Sequence, residues 1–320
     1  MYRRTLLLAA AALALGLSGS AQAQNWPTQP ITIVVGFQPG GVADALPRVM
    51  QEYLQAEFGQ PIVVENRPGS AGAIAMAAVA KGNANHTLGV QTLQNLILPS
   101  VSSNAIYDPR KDFRGISVMA SIPNILAVHP DVPAKTVPEL IAYARANPGK
   151  LNWGSAGMAT APHLMLEVLK RDAKLDIEHV PYAGINQAYV DLLAGRIQAI
   201  LGPYGSIKPH LPQLRALAVS TPERSAFVPD LPPMSEASGL KDFALTEWYS
   251  LIAPAKMSDE VAARIGTAVN KFLKSDKFKE FATNRGLTVV ASEPAAAQTY
   301  LMKEFDAMAA VVKSANVKLD

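Results

Sequence analysis

Cysteine is absent from the 320-residue chain, which excludes disulfides, thiol nucleophiles and thiolate-bound metals together. Histidine is scarce: His86, His129, His163, His179 and His210 show neither H-x-x-x-H nor H-E-x-x-H spacing. No metal site is expected from them. A strong excess of charge of one sign is also missing. Two of the 29 basic residues, Arg3 and Arg4, lie in an N-terminal stretch that has no acid, so 27 basic side chains face 26 acidic ones in the remainder. With no basic run either, no nucleic-acid partner is expected. Beyond the first residues, no apolar run approaches the roughly 20 residues of a bilayer-spanning helix.

The chain opens MYRRTLLLAAAALALGLSGSAQAQ. A basic pair, an apolar stretch from Thr5 to Leu17 and the small-residue site Ala21-Gln22-Ala23 form the layout of a secretory signal peptide. Cleavage after Ala23 and a soluble, periplasmic mature protein are the expectations. Without disulfides, such an exported chain relies on its apolar core, which a chain of this length can supply.

Strand-like and helix-like segments alternate from ITIVVGF (31–37) onward, which predicts an α/β fold with mostly parallel sheets flanked by helices. Two long extended segments, near 116–130 and 243–255, bracket a block with its own alternation. One lobe inserted into another accounts for them: residues 24–124 with 244–320 form the first, and residues 125–243 the second. Ligands of such folds bind outside the carboxyl ends of parallel strands, between the lobes.

Each lobe has a glycine loop between a strand and a helix. In GFQPGGVADALPR (36–48) it contains Gly40 and Gly41; in LNWGSAGMATAPHLMLEVL (151–169) it runs through Gly154-Ser155-Ala156-Gly157, with Thr160 placed to cap the helix. A helix N-terminus offers unpaired N–H donors and about half a positive charge. Two of them facing across a cleft would grip an anion, and a carboxylate is the expected ligand. Asp44 beside the first loop is expected to orient it through the loop N–H groups. Phe37, Trp153, Tyr182, Tyr204 and Trp248 sit at strand ends, where they either pack in the core or wall the cleft. A serine hydrolase is not expected. The nucleophile elbow needs G-x-S-x-G, and Trp153 stands at its first position. GSAGAIA (69–75) lacks G-x-G-x-x-G and reads as a structural turn, so no cofactor is expected.

The stretches WPTQPITIVVGFQPGGVAD, GQPIVVENRPGSAGAIA, YDPRKDF, VPAKTVPELIAYARANPGKLNWGSAG, HVPYAG, LRALAVSTPERS and PPMSEASG occur in that order along the chain. In them the sequence resembles the Bug-type (TctC-like) periplasmic solute receptors of tripartite tricarboxylate transporters. The resemblance implies a two-lobed venus-flytrap (type II-like) periplasmic-binding-protein fold whose two loops hold a carboxylate. Phe37, Gly40, Gly41 and Asp44 fall on the family's F-x-P-G-G-x-x-D loop, which also contains Val42. Ser155, Ala156, Gly157 and His163 fall on its S-A-G…H loop, with Thr160 at the hydroxyl position. Tyr182 and Gly184 fall on V-P-Y-x-G around Ala183. Gln38 stands where proline is usual, Asn83 to His86 replace P-D-G-Y, and Gly202-Pro203 replace a common Asp-Asn.

The implied function is capture of a small organic mono- or dicarboxylate with an apolar body, aromatic or aliphatic. A monomeric receptor would deliver it to a membrane permease, with no catalytic residue and no metal. The alternative is a sensor that presents the ligand to a sensory histidine kinase.

Overall fold

The computed structural model describes residues 26–102, 104–240 and 245–314. The leader, its cleavage site and the 243/244 lobe boundary lie outside those residues. The strands in chain order are β1 Ile31–Val35, β2 Ile62–Asn66, β3 Thr87–Thr92, β4 Phe113–Ile122, β5 Asn124–Val128, β6 Asn152–Ser155, β7 Glu178–Pro181, β8 Ala199–Pro203, β9 Arg215–Val219, β10 Glu247–Pro254 and β11 Thr288–Val289. They form two sheets, ordered β11-β4-β10-β3-β1-β2 and β7-β6-β8-β5-β9.

The two sheets repeat one pattern. β1 pairs parallel with β2 and β3, and β6 pairs parallel with β7 and β8. An antiparallel strand follows in each, β10 beside β3 and β5 beside β8. In each sheet four strands share one direction, β1 to β4 in the first and β6 to β9 in the second. The expected parallel character therefore holds for direction, but the sheets are mixed. β5 follows β4 across Pro123 alone, with no crossover helix to turn the chain back. It runs against its neighbours in the second sheet, as β10 and the short β11 do in the first. Pro123, which cannot donate to a ladder, separates β4 from β5 at the crossing.

Local sequence explains the elements that carry the cleft. ITIVV is almost wholly buried, as a strand covered on both faces must be. The helix Val42–Phe58 buries Leu46, Met50, Leu54 and Phe58, a four-residue stripe along one face, and Gly59 ends it in a left-handed conformation. The carboxyl ends of β1, β3, β6 and β8 all open toward the space between the sheets. Among the described residues, no helix is long and apolar enough to cross a membrane.

Candidate functional site

A cleft of about 1010 Å³ lies between the sheets, lined from both lobes. The first lobe contributes 36–38, 40–43, 68–69, 71–72 and 92–94; the second contributes 156, 160–162, 183, 185–186 and 203–206 except Tyr204. Ile122, Glu247, Tyr249, Asn284 and Arg285 complete the lining. Of the residues expected from sequence, Phe37, Gly40, Gly41, Val42, Ala156, Thr160 and Ala183 line the cleft. Asp44, Trp153, Ser155, Gly157, His163, Tyr182 and Gly202 lie behind that surface.

Those residues brace the loops from behind. Asp44, buried, accepts from the Gly40 N–H at 2.9 Å, from Arg48 Nε at 2.8 Å and from Asn66 Nδ2 at 2.8 Å. Asn66 Nδ2 also donates to the Phe37 carbonyl at 3.0 Å. Burial alone would raise the Asp44 carboxyl; the three donors and the Arg48 charge outweigh it, and the net direction is down. Gly40 has φ +97°, a conformation that disfavours any side chain.

In the second lobe, fully buried Ser155 accepts from the Gly157 N–H at 3.1 Å, and its hydroxyl meets His179 Nε2 at 2.7 Å. His163 Nδ1 accepts from the Ala159 N–H at 2.9 Å, which leaves its proton on Nε2. The two imidazoles stack 4.1 Å apart. Burial first, and then neighbouring charge, lowers both to about 4, so both are neutral at pH 7. Tyr182 is turned away to donate to Asp191 at 2.8 Å. Gly202 lies against the Tyr189 hydroxyl, where a Cβ would collide.

The choice left open for the aromatic residues resolves by position. Trp153 and Trp248 are fully buried, and Trp248 donates to Glu304 at 3.1 Å. Tyr204 stacks on Phe227. Phe37 remains on the wall, joined by Tyr249.

A third loop was missed. Gly69, Ser70, Ala71 and Gly72 all have positive φ, and 68–69 and 71–72 form part of the cleft wall, so the turn reading assigned to GSAGAIA was incomplete. A Cβ on Gly36 would stand 3.0 Å from the Gly72 Cα, so the first and third loops touch. Asn95 holds the third by donating to the Ala71 carbonyl at 2.7 Å. The signal available in the sequence was a repeat, because this strand–glycine–helix pattern occurs four times, after β1, β2, β6 and β7.

The helix starts differ according to where they lie. Val42–Phe58, Ala73–Ala80, Ala161–Ala173 and Ile185–Leu193 begin at the cleft after Gly41, Gly72, Thr160 and Gly184, none of which makes a side-chain capping bond. Thr160 donates to the Gly157 carbonyl instead. Asp44, already engaged, is the one acid in those first turns. The helices Val137–Ala146, Asp259–Leu273 and Asp276–Arg285 begin elsewhere. Each is capped by its own Thr or Ser and has an acid in its first turn. Leu93–Val101 lines the cleft and is capped by Thr92. Local capping is therefore withheld from four of the five longer helices that start at the cleft, which leaves their N–H groups and dipoles available to an anion.

The profile of the family described as "Tripartite tricarboxylate transporter family receptor" matches residues 46–317. A protein of Pseudomonas sp. (strain P51), from a tcbD-tcbE intergenic region, is 32% identical over 91% of this chain and 88% of its own. BugT of Bordetella pertussis is 29% identical over 95% and 94%. Among solved structures, an R. palustris protein with adipate superposes with TM-score 0.78 at 31% identity, over 92% of this chain and 99% of its own. MatC of Rhodopseudomonas palustris with bound malate gives TM-score 0.76 at 27% identity, over 90% and 100%.

Proposed function

The chain belongs to the tripartite tricarboxylate transporter receptor family, and on that premise we propose that it captures a small organic carboxylate between its lobes and delivers it to a membrane permease. The observation that carries the reading is the set of uncapped helix N-termini facing one cleft from both sheets. Each offers backbone donors at no cost in side-chain ordering, and together they match an anion better than a neutral ligand. Adipate and malate in the structurally similar proteins support the same ligand class.

In this reading the Gly40-Gly41 loop, the 69–72 loop and the Ala156–Thr160 loop hold the carboxylate. Phe37, Val42, Leu93, Ile122 and Ile185 enclose an apolar body. No bond is made or broken. The protein works in the periplasm after loss of residues 1–23, and binding closes residues 24–124 with 244–320 against 125–243.

Thermal unfolding across a panel of aliphatic and aromatic mono- and dicarboxylates tests it. A ligand at 100 times its dissociation constant adds about 2.7 kcal/mol to stability, which raises Tm by several degrees. Stabilisation by neutral sugars or by amines, with none by any carboxylate, would overturn the proposal.

A further inference from the structure

The cleft that attracts an anion also contains an acid. Glu247 opens β10 and pairs with Ile122, the last residue of β4, where the chain crosses between the sheets. It lines the cleft at this junction with Ser206 and Arg285. The groups facing it from β10, β5 and the helix Ile185–Leu193 are neutral. Tyr249 Oη donates to its Oε1 at 3.1 Å. The Asn124 amide lies beside it, fully buried, with neither polar atom in a hydrogen bond. Tyr189 bonds Ser206 at 2.8 Å, and its phenol is pushed up by burial and further by the Glu247 charge. Arg285, the other charged residue of the lining, sets its guanidinium 4.8 Å over the Phe281 ring and makes no ion pair among the described residues.

A carboxyl set among phenols and an amide, with no cation against it, resists a second negative charge beside it and takes up a proton when one arrives. Burial raises Glu247 above the ordinary carboxyl value, and the hydrogen bond from Tyr249 offsets this in part. An anion drawn in by the surrounding helix N-termini raises it further, because two like charges in one cleft resist coexistence.

We propose that Glu247 is the specificity-determining residue of the cleft: in its neutral form it donates a hydrogen bond to a second carboxylate of the ligand. The cleft thereby selects a dicarboxylate and takes up one solvent proton with it. A monocarboxylate of the same length leaves Glu247 facing an apolar chain end, so its acid hydrogen is unpaired and the selection follows. The inference rests on the carboxylate reading above and names the ligand class within it.

Calorimetry with chain-length-matched pairs, adipate against hexanoate and glutarate against pentanoate, tests it between about pH 6.5 and 8.5, above the ligands' own titration. The dicarboxylate is expected to bind at least about tenfold tighter than its partner, the loss associated with about one hydrogen bond. Its affinity should fall by up to about tenfold per pH unit on the rising side. Buffers of different ionisation heat should report uptake of close to one proton. Glu247→Gln, which keeps a neutral donor, is expected to abolish the pH slope. Glu247→Leu is expected to abolish the preference for dicarboxylates. A slope that survives in Glu247→Gln, or a wild-type dicarboxylate affinity that is flat with pH, overturns the inference while leaving carboxylate capture intact. Failure of every acid in the panel to bind the wild type overturns both.

Discussion

In the first lobe the loop after β1 is braced by an ionised carboxylate, whereas in the second the loop after β6 is braced by neutral imidazoles. Asp44 gathers Gly40, Arg48 and Asn66 around a charge that favourable donors hold in place. The Arg48 side chain is 44% exposed, so that brace reaches solvent. Ser155 and His163 are buried and His179 is half-buried. The nearest carboxylate, Glu167, stands 4.0 Å from His163 Nε2 and is shared with Lys170. Both braces take N–H groups of the loops themselves, those of Gly40, Gly157 and Ala159, and leave the first turns of the helices that follow uncapped. Similar backbone surfaces can therefore rest on opposite electrostatic supports, and acid separates them.

The largest difference is expected on acidification. In the unfolded chain His163 and His179 take up protons from about pH 6.5, but in the folded protein only near pH 4. Their contribution is complete above about 6.5 and disappears as the pH falls toward 4. For buried His163 it is on the order of 3 kcal/mol, and less for half-buried His179, which solvent screens. Asp44 is shifted below its ordinary value and stays ionised through most of that window. Urea unfolding at about pH 7 and pH 4.5 should show a large loss in the wild type and a smaller one in His179→Gln, which can still meet Ser155. Equal losses would remove the imidazoles from the account.

Next in size is the first brace. Asp44→Ala deletes the acceptor of three hydrogen bonds, one of them from a guanidinium. The Gly40 N–H and Arg48 can recover water, which limits the cost to about 2 kcal/mol. Unfolding at neutral pH measures it, and a loss below about 0.5 kcal/mol would mean that the loop holds its shape without the acid.

Much of this was legible in the sequence. The alternation of strands and helices predicts the α/β class, and the two extended segments coincide with β4–β5 and β10, where the chain changes sheets. Both glycine loops were found because glycine between strand and helix has a backbone reason. Which side chains line the cleft was not legible. Ser155 and Thr160 both sit in the second loop, yet only Thr160 lines the cleft, and nothing in their spacing separates brace from wall. Glu247 was invisible for another reason. Its environment comes from β4, β5 and the helix Ile185–Leu193, all distant in the chain, and sequence periodicity carries no information on such contacts.

Ser155 sharpens the comparison because it makes stability and binding separable. It is fully buried and engaged with Gly157 and His179. Ser155→Ala is expected to cost about 1 kcal/mol of stability, with any loss of affinity arising through the loop rather than a lost contact. A variant as stable as the parent but markedly weaker in binding would instead make the hydroxyl a ligand contact.

The smallest expected effect on the fold comes from Gly41. Its φ of −75° is open to any residue, and a Cβ there would meet nothing within 4 Å. Alanine is a poorer N-cap than glycine, so Gly41→Ala is expected to cost only about 0.5 kcal/mol. Gly40 differs although it is adjacent, because at φ +97° a side chain is strained whatever the space around it. The methyl of Gly41→Ala would project from the cleft wall beside the uncapped N–H groups of the helix Val42–Phe58 and stand in the way of an anion. Affinity for the best carboxylate in the panel should fall at least about tenfold, near 1.4 kcal/mol, while the melting temperature without ligand barely moves. If Gly41→Ala binds as tightly as the parent, the N-terminus of that helix is not where the carboxylate sits, and the 69–72 loop and the second lobe hold the anion without it.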